Sequence, residues 1–115
     1  MAASTTAATP TKFEWLVILP DFEDGLEHRL EVRPKHFAGL WAAVEAGDFR
    51  MGGALLEEVP KEGEGAKMMG SALVAMASTK EEVIEMIKND PYAKEKVWDL
   101  SKMQIYPFKS AFYKP

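Results

Sequence analysis

Four short runs of aromatic and aliphatic residues are separated by two segments of helical character and one loop, and this order restricts the fold more than any other feature. Such runs, rich in β-branched and aromatic residues and bounded by Gly, Pro or Asp, are typical of strands. The predicted strands are 13–19, 49–57, 69–77 and 103–108. The resulting order, β-α-β-β-α-β, predicts an α+β fold with an antiparallel sheet, the ferredoxin-like split βαβ arrangement.

One domain is expected from residue 13 to residue 115, because 115 residues suit a single core. Residues 1–12 are dominated by Ala, Ser and Thr. A segment with so few large apolar side chains cannot bury enough surface to order itself, so it is predicted to be a disordered tail.

Proline 34 leaves the first helical segment open to two interpretations. In one, residues 25–32 form a short helix and Pro34 begins a second helix, where its missing N–H costs nothing. In the other, a single helix is kinked at Pro34. Either way, apolar residues follow at spacings of three and four and predict one apolar face: Phe37, Leu40, Trp41 and Val44.

The second helical segment carries a start signal. Ser78-Thr79 followed by Glu81-Glu82 is the pattern of a capping box. The core side of this helix is predicted from its apolar residues, Val83, Ile84, Met86 and Ile87. Asp90-Pro91 then favours one further short turn before the last strand.

Charge and composition argue against several classes of partner. With 14 basic and 18 acidic residues, a net charge of -4 and no basic block, a nucleic-acid surface is not expected. The longest apolar run, 15–19, is far shorter than the roughly 20 residues of a membrane span. The absence of cysteine excludes disulfides and thiolate chemistry and fits a cytoplasmic protein. His28 has no histidine four residues on, so neither a metal site nor another cofactor is expected.

An antiparallel sheet with two helices on one face leaves its other face uncovered. An exposed apolar sheet face usually finds a partner. A second copy of the chain would cover it face to face, so a homodimer resembling a barrel is predicted.

His36 and Asp90 are the candidate catalytic pair. An imidazole titrates near working pH and can act as a general base, and a carboxylate can orient it. Each residue also has a purely structural interpretation: His36 as a surface residue in a first helical turn, and Asp90 as an N-cap before Pro91. Capping and pairing are compatible, because a carboxylate has two oxygens.

Two glycine-bearing pairs lie in predicted strands, where glycine is unfavourable: Gly52-Gly53 and Gly70-Ser71. They would leave room for a ligand against the backbone, with the Ser71 hydroxyl in reach of it. The alternative is a bulge or close packing within the sheet.

A set of motifs resembles the YciI-like (YCII-related) domain family over about residues 14–112. They are GLEHRLEVRPKH at 25–36, Gly52-Gly53, Gly70-Ser71, Asp90-Pro91-Tyr92 and Pro107-Phe108-Lys109. The resemblance implies a dimeric α+β barrel of ferredoxin-like units and an active site at His36 and Asp90. It also implies that Arg33, Ser71 and Tyr92 lie near the pocket and bind substrate.

Two functions follow from the resemblance. Relatives related to muconolactone isomerase and to a dehydrochlorinase of chlorinated hydroxyquinols imply proton abstraction or elimination on a small cyclic or aromatic compound, as in a lyase or isomerase. The alternative is a non-catalytic dimeric module that binds a small molecule or serves a stress response. There, His36 would only hydrogen-bond the ligand.

Overall fold

A computed structural model describes residues 11–115 as an α+β unit, which confirms the predicted class and order. The strands are β1 (Phe13–Pro20), β2 (Phe49–Leu56), β3 (Met68–Ala77) and β4 (Gln104–Phe108). The helices are α1 (Leu26–Glu45), α2 (Lys80–Lys88) and the short α3 (Pro91–Lys94), with a 3₁₀ turn at Leu100–Lys102. The predicted disordered tail at 1–12 lies, apart from its last two residues, outside the described part of the chain.

The four strands form one antiparallel sheet in the order β2-β3-β1-β4, which is the ferredoxin-like topology. In the central pair, Val17 lies opposite Leu73 and Leu19 opposite Ser71, on the face that the helices cover. The fully buried Val17 and Leu19 pack there with Val83 and other core residues.

The opposite face of the sheet is apolar too. Leu16 lies opposite both Val74 and Tyr106 in the register of its two neighbouring strands. Tyr106 and Phe108 remain 50% and 41% exposed. The chain therefore presents large apolar side chains on an outer sheet surface.

α1 is a single helix of 20 residues with Pro34 inside it. The prediction of two helices is wrong, and the alternative of one helix through the proline is confirmed. Pro34 removes one backbone donor. The buried positions lie on both sides of it, at Arg29, Val32 and His36. Packing along the whole helix therefore outweighs the loss of one hydrogen bond.

The predicted apolar face of α1 does not pack into the core. Trp41 is 61% exposed and Val44 40% exposed, while Phe37 and Leu40 are partly buried. These four residues line a cavity instead of packing into the core. Hydrophobic spacing identifies an apolar stripe but not whether protein or open space faces it.

α2 begins with the predicted capping box. Thr79 Oγ1 accepts from the backbone N–H of Glu82 at 3.2 Å, and Glu82 Oε1 accepts from the backbone N–H of Thr79 at 3.0 Å. Val83 and Ile87 are buried beneath the helix. In the described residues no helix combines the length and apolar character that crossing a membrane requires.

The segment after α3 is fastened to the end of β1. Asp21 and Trp98 form an isolated antiparallel bridge. The N–H of Phe22 donates to the carbonyl of Val97 at 3.0 Å, and the N–H of Asp99 donates to the carbonyl of Pro20 at 2.8 Å. These bonds bring Trp98 and the end of β1 together beside α1, where the candidate site lies.

Candidate active site

His36 and Asp90 are in direct contact across 54 residues of sequence. His36 Nδ1 lies 2.8 Å from Asp90 Oδ1, and the histidine is only 8% exposed. An ionised carboxylate can only accept, so Nδ1 carries the proton and donates it. In the neutral ring Nε2 is then the basic nitrogen.

Asp90 also caps α3. Its Oδ1 accepts from the backbone N–H of Tyr92 at 2.8 Å, and Asp90 itself is the N-cap of the helix. Asp90 therefore both caps α3 and contacts His36. It does so through the single oxygen Oδ1, not through its two oxygens separately. The cap fixes the carboxylate that the imidazole contacts.

Aromatic rings fix the plane of the imidazole. The Tyr92 ring is stacked on His36 with centroids 4.0 Å apart and planes 11° from parallel. The Trp98 ring meets His36 edge-on at 6.0 Å. Since Tyr92 and Trp98 are almost completely buried, the imidazole has little freedom to rotate.

A buried ion pair lies next to these rings. Arg29 Nη1 donates to both carboxylate oxygens of Asp21, at 2.9 and 3.1 Å, and both residues are buried. Arg29 Nη2 donates to Ser71 Oγ at 2.8 Å, and its Cζ lies 4.7 Å from the centre of the Tyr92 ring. Arg29 Nε is buried with no hydrogen-bond partner among residues 11–115. The guanidinium of Arg29 and the imidazole of His36 thus both contact the Tyr92 ring.

Burial affects two acids of this cluster. It raises the pKa of the Asp21 carboxyl, an effect that the guanidinium of Arg29 opposes. Burial also raises the pKa of the Tyr92 hydroxyl above its ordinary value of 10.0, against the influence of Arg29 and Arg33. The Tyr92 hydroxyl is therefore protonated at neutral pH and available as a donor.

All of the predicted site residues line one cavity of about 480 Å³ between α1, the β2–β3 side of the sheet and α3. His36, Asp90 and Tyr92 form one contact cluster. Ser71 is buried, and its Oγ accepts from both Arg29 and Trp98 Nε1, the latter at 3.1 Å. The hydroxyl of Ser71 is thus already engaged in holding two neighbours.

Arg33 is exposed at the cavity wall, apart from that cluster. Its Cζ lies 4.6 Å from the centre of the Phe37 ring. It has no carboxylate within ion-pair distance among the residues described here. Arg33 is therefore placed to meet an anion that enters the cavity.

Arg29, Asp21 and Trp98 are not among the predicted site residues. Arg29 precedes His36 by seven residues, which is two helical turns, so both lie on one face of α1. That spacing was the available signal. The contact of Asp21 with Arg29 depends on where β1 ends, which periodicity does not show.

The two glycine-bearing pairs differ in how closely other atoms surround the glycines. A Cβ on Gly70 would lie 2.7 Å from the carbonyl oxygen of Leu19, so close packing within the sheet accounts for Gly70. A Cβ on Gly52 would meet only ordinary contacts, and one on Gly53 would meet nothing within 4 Å. Packing in the described chain does not account for Gly52-Gly53.

His28, the second histidine, connects two helices. Its Nε2 lies 2.6 Å from the carbonyl oxygen of Glu95, to which it donates. Within residues 11–115 no three His, Cys, Asp or Glu side chains are grouped as ligands for a metal ion.

Comparison with known proteins identifies the family of this chain. The family model of the YCII-related domain matches residues 13–109. The chain belongs to the YCII-related domain family. The recognition made from the motifs is thereby confirmed.

Two proteins of Emericella nidulans are similar to this chain. It is 42% identical to the derivative of benzaldehyde biosynthesis cluster protein C of Emericella nidulans, over 71% of this chain and 85% of that protein. It is 34% identical to aspercryptin biosynthesis cluster protein B of the same organism, over 83% of this chain. The matched part spans 62% of the length of that second protein.

A solved structure shares the fold. The 5-chloro-2-hydroxyhydroquinone dehydrochlorinase of Burkholderia phenoliruptrix, in complex with 2,5-dihydroxybenzoquinone, superposes with a TM-score of 0.69 at 24% identity. The match covers 84% of this chain and 93% of that one. This YCII-related chain therefore has the architecture of the dehydrochlorinase.

Proposed function

We propose that this protein is an enzyme that removes a proton from a small cyclic or aromatic compound, with Nε2 of His36 as the base. The observation that carries the proposal is the 2.8 Å contact of His36 Nδ1 with Asp90 Oδ1 in a residue pair that lines the cavity. A carboxylate on Nδ1 selects the tautomer in which Nε2 accepts a proton and stabilises the imidazolium that forms.

The surroundings of the pair support this role. The cap to the Tyr92 N–H holds Asp90, and the Tyr92 ring holds the plane of the imidazole. A base held in one geometry needs little rearrangement at the moment of reaction. The structural elements that stabilise α3 thus also preorganise His36.

The names of related proteins support the class of substrate. One relative belongs to a biosynthesis cluster for a benzaldehyde derivative, and the solved neighbour dehydrochlorinates a chlorinated hydroxyhydroquinone. For a ring of this kind, Nε2 takes a proton and the electron pair of the broken bond enters the ring as a new double bond. A leaving group then departs with its own pair, or the proton returns at another carbon.

Positive charge near the base supports the same chemistry. Arg29, held by Asp21, and Arg33, which has no carboxylate partner among residues 11–115, both line the cavity. Either can stabilise the oxyanion that develops when an enol or phenol loses its proton. Ser71 keeps its own hydroxyl proton for donation while accepting from Arg29, and the protonated Tyr92 hydroxyl is a second donor.

We propose further that the chain works as a homodimer. The outer sheet face carries Leu16, Tyr106 and Phe108, two of them about half exposed. Burying these side chains against a second copy would remove apolar area from water at about 25 cal/mol per Å². A self-complementary sheet face suits the two-fold symmetry of most homodimers.

Deuterium exchange separates the enzyme from a binding module. 2,5-Dihydroxybenzoquinone is incubated with the protein in D₂O, and loss of its ring C–H signal is followed by NMR. The wild type is expected to accelerate exchange and His36→Gln to abolish the acceleration while the protein stays folded. His28→Gln, a histidine of the same helix that bonds Glu95, is the matched control.

If the compound binds the wild type without exchange above the buffer rate, the binding module is the better account. Exchange that persists unchanged in His36→Gln would exclude His36 as the base.

A further inference from the structure

One wall of the cavity is a column of stacked groups along α1. The guanidinium of Arg33 lies 4.6 Å from the centre of the Phe37 ring, and the Phe37 and Trp41 rings are 5.5 Å apart with planes at 27°. Positions 33, 37 and 41 are four residues apart, so they follow one line on the helix surface. The column runs past His36, from Arg33 almost one helical turn before it to Trp41 more than a turn after it.

The outer end of this column is open. Trp41 is 61% exposed, yet it lines the same cavity as His36. The Trp41 ring therefore provides a large apolar surface on which another ring can stack. Such a stacking contact contributes about 0.5–1.5 kcal/mol to binding beyond the effect of the buried area.

Gly52 and Gly53 of β2 line the same cavity. Two adjacent glycines weaken a strand, since they add backbone entropy and no packing. The described fold has space for a side chain at both positions, as noted above for their Cβ atoms. Gly52 lies opposite Leu73 on the sheet face that the helices cover, whereas Gly53 lies opposite Ala72 on the other face. The missing side chain of Gly52 therefore keeps open a space on the cavity side that the protein itself does not fill.

The charge of the cavity differs from that of the chain. The chain has a net charge of -4, but three arginines line the cavity with a single carboxylate, Asp90. Arg29 is paired with Asp21 and Arg50 with Glu14. Arg33 is the remaining cation of the lining, and in the described chain no carboxylate lies close enough to neutralise it. An anionic group fits beside it.

We propose that the cavity has a second subsite that accepts a further ring of the substrate, so that the preferred substrate is a planar, anionic compound of at least two fused rings. The first ring lies at His36, the anion at Arg33, and the additional ring between Trp41 and the Gly52-Gly53 strand. A cavity of about 480 Å³ is in the range that holds ligands larger than one ring. The inference rests on the proposed function and specifies its substrate.

Two anions of different size test the subsite. 2,5-Dihydroxybenzoquinone has one ring and 2-hydroxy-1,4-naphthoquinone has two fused rings; their dissociation constants are measured by calorimetry. The wild type is expected to bind the two-ring anion about tenfold more tightly, the factor that one additional stacking contact supplies. Trp41→Ala and Gly52→Val, which adds a side chain on the sheet face that the helices cover, should each remove that preference and change binding of the one-ring anion less than about twofold.

Matched controls lie outside the cavity. Leu30→Ala removes another half-exposed apolar side chain of α1, and Gly65→Val fills the space at another glycine with open surroundings. Both should keep the wild-type preference. Thermal melting and light scattering of every variant check that folding and association are unchanged.

The subsite is overturned if the wild type does not prefer the two-ring anion or binds neither compound at millimolar concentration. It is also overturned if Trp41→Ala keeps the preference, or if Gly52→Val acts by changing the association state. His36→Gln should lose exchange and keep the preference. If the proposed function is wrong, exchange is absent; if the subsite is wrong, the preference for the two-ring anion is absent. The two failures can therefore be distinguished.

Discussion

Tyr92 lies flat against His36, with ring centroids 4.0 Å apart, while its backbone N–H donates to the carboxylate that the same histidine contacts. One residue of α3 thus touches both members of the candidate pair. Because Tyr92 is 1% exposed, these contacts are part of the core rather than additions to its surface. The geometry of the candidate pair and the packing of α3 against α1 therefore depend on the same contacts.

Asp90→Asn should lower the rate of ring C–H exchange by about 10² to 10⁴. The amide no longer enforces the tautomer with basic Nε2, although asparagine remains a good N-cap. The thermal midpoint should therefore move little. Asp99→Asn, in a second capping aspartate that accepts from Ser101, is the control. An unchanged exchange rate in Asp90→Asn would contradict the proposed pair.

Removing either member of the buried pair Asp21–Arg29 should cost about 3–5 kcal/mol in the free energy of unfolding, because the other charge is left buried and unpaired. Replacing both together, as Asp21→Leu with Arg29→Met, should cost less than the sum of the single changes by about 1–3 kcal/mol. Urea denaturation measures all three. Lys35→Met, in the exposed pair with Glu95, should cost less than about 1 kcal/mol. Additive costs would show that the pair is not coupled.

Tyr92 should make stability fall at alkaline pH. Burial raises the pKa of its hydroxyl above the ordinary value of 10.0, so the unfolded chain ionises at a lower pH than the folded one. Above pH 10 the unfolded state gives up a proton that the folded state keeps, and the free energy of unfolding falls by up to about 1.4 kcal/mol per pH unit. Tyr92→Phe should reduce this slope between pH 9 and 11 in urea titrations. Tyr113→Phe, at an exposed tyrosine, should leave it unchanged.

Tyr106→Lys should convert the proposed homodimer into a monomer, because it places a charge on the outer sheet face. Light scattering over a dilution series measures the mass. Phe22→Lys changes an equally exposed apolar residue outside the sheet and should keep the dimer. A wild type that stays monomeric at high concentration would rule out the dimer.

Gly70→Ala should destabilise the fold by more than about 1 kcal/mol, since its Cβ would lie 2.7 Å from the backbone oxygen of Leu19. Gly39→Ala, within α1 where a Cβ meets nothing within 4 Å, should stabilise by about 0.5–1 kcal/mol. Thermal melts of the two variants should move in opposite directions. A tolerated Gly70→Ala would show that the sheet relaxes at this point.

The fold was predictable because its signals are local. Alternation and β-branched residues identify the strands, and the capping box at Thr79 identifies the start of α2. Pro34 does not begin a helix, because its preference for a helix start is outweighed by burial of Arg29 and His36 on either side of it. The conformational preference of a single residue does not show whether a helix packs against the core on both sides of a proline.

The site was predictable only in part. His36 and Asp90 stand in motifs that resemble a known family, and the structure brings them together. The pairing of Asp21 with Arg29 depends on the bridge between the end of β1 and Trp98. The bridge between Asp21 and Trp98 joins segments far apart in the chain, and neither segment has a hydrophobic periodicity that would predict it.

A single oxygen, Oδ1 of Asp90, accepts both from the backbone that starts α3 and from the imidazole of His36. Selection for a sound fold and selection for a usable base therefore act on the same atom. A descendant that lost the proposed activity would still be under selection to retain this carboxylate for the helix cap. The presence of Asp90 in a relative is therefore weaker evidence of activity than the presence of His36.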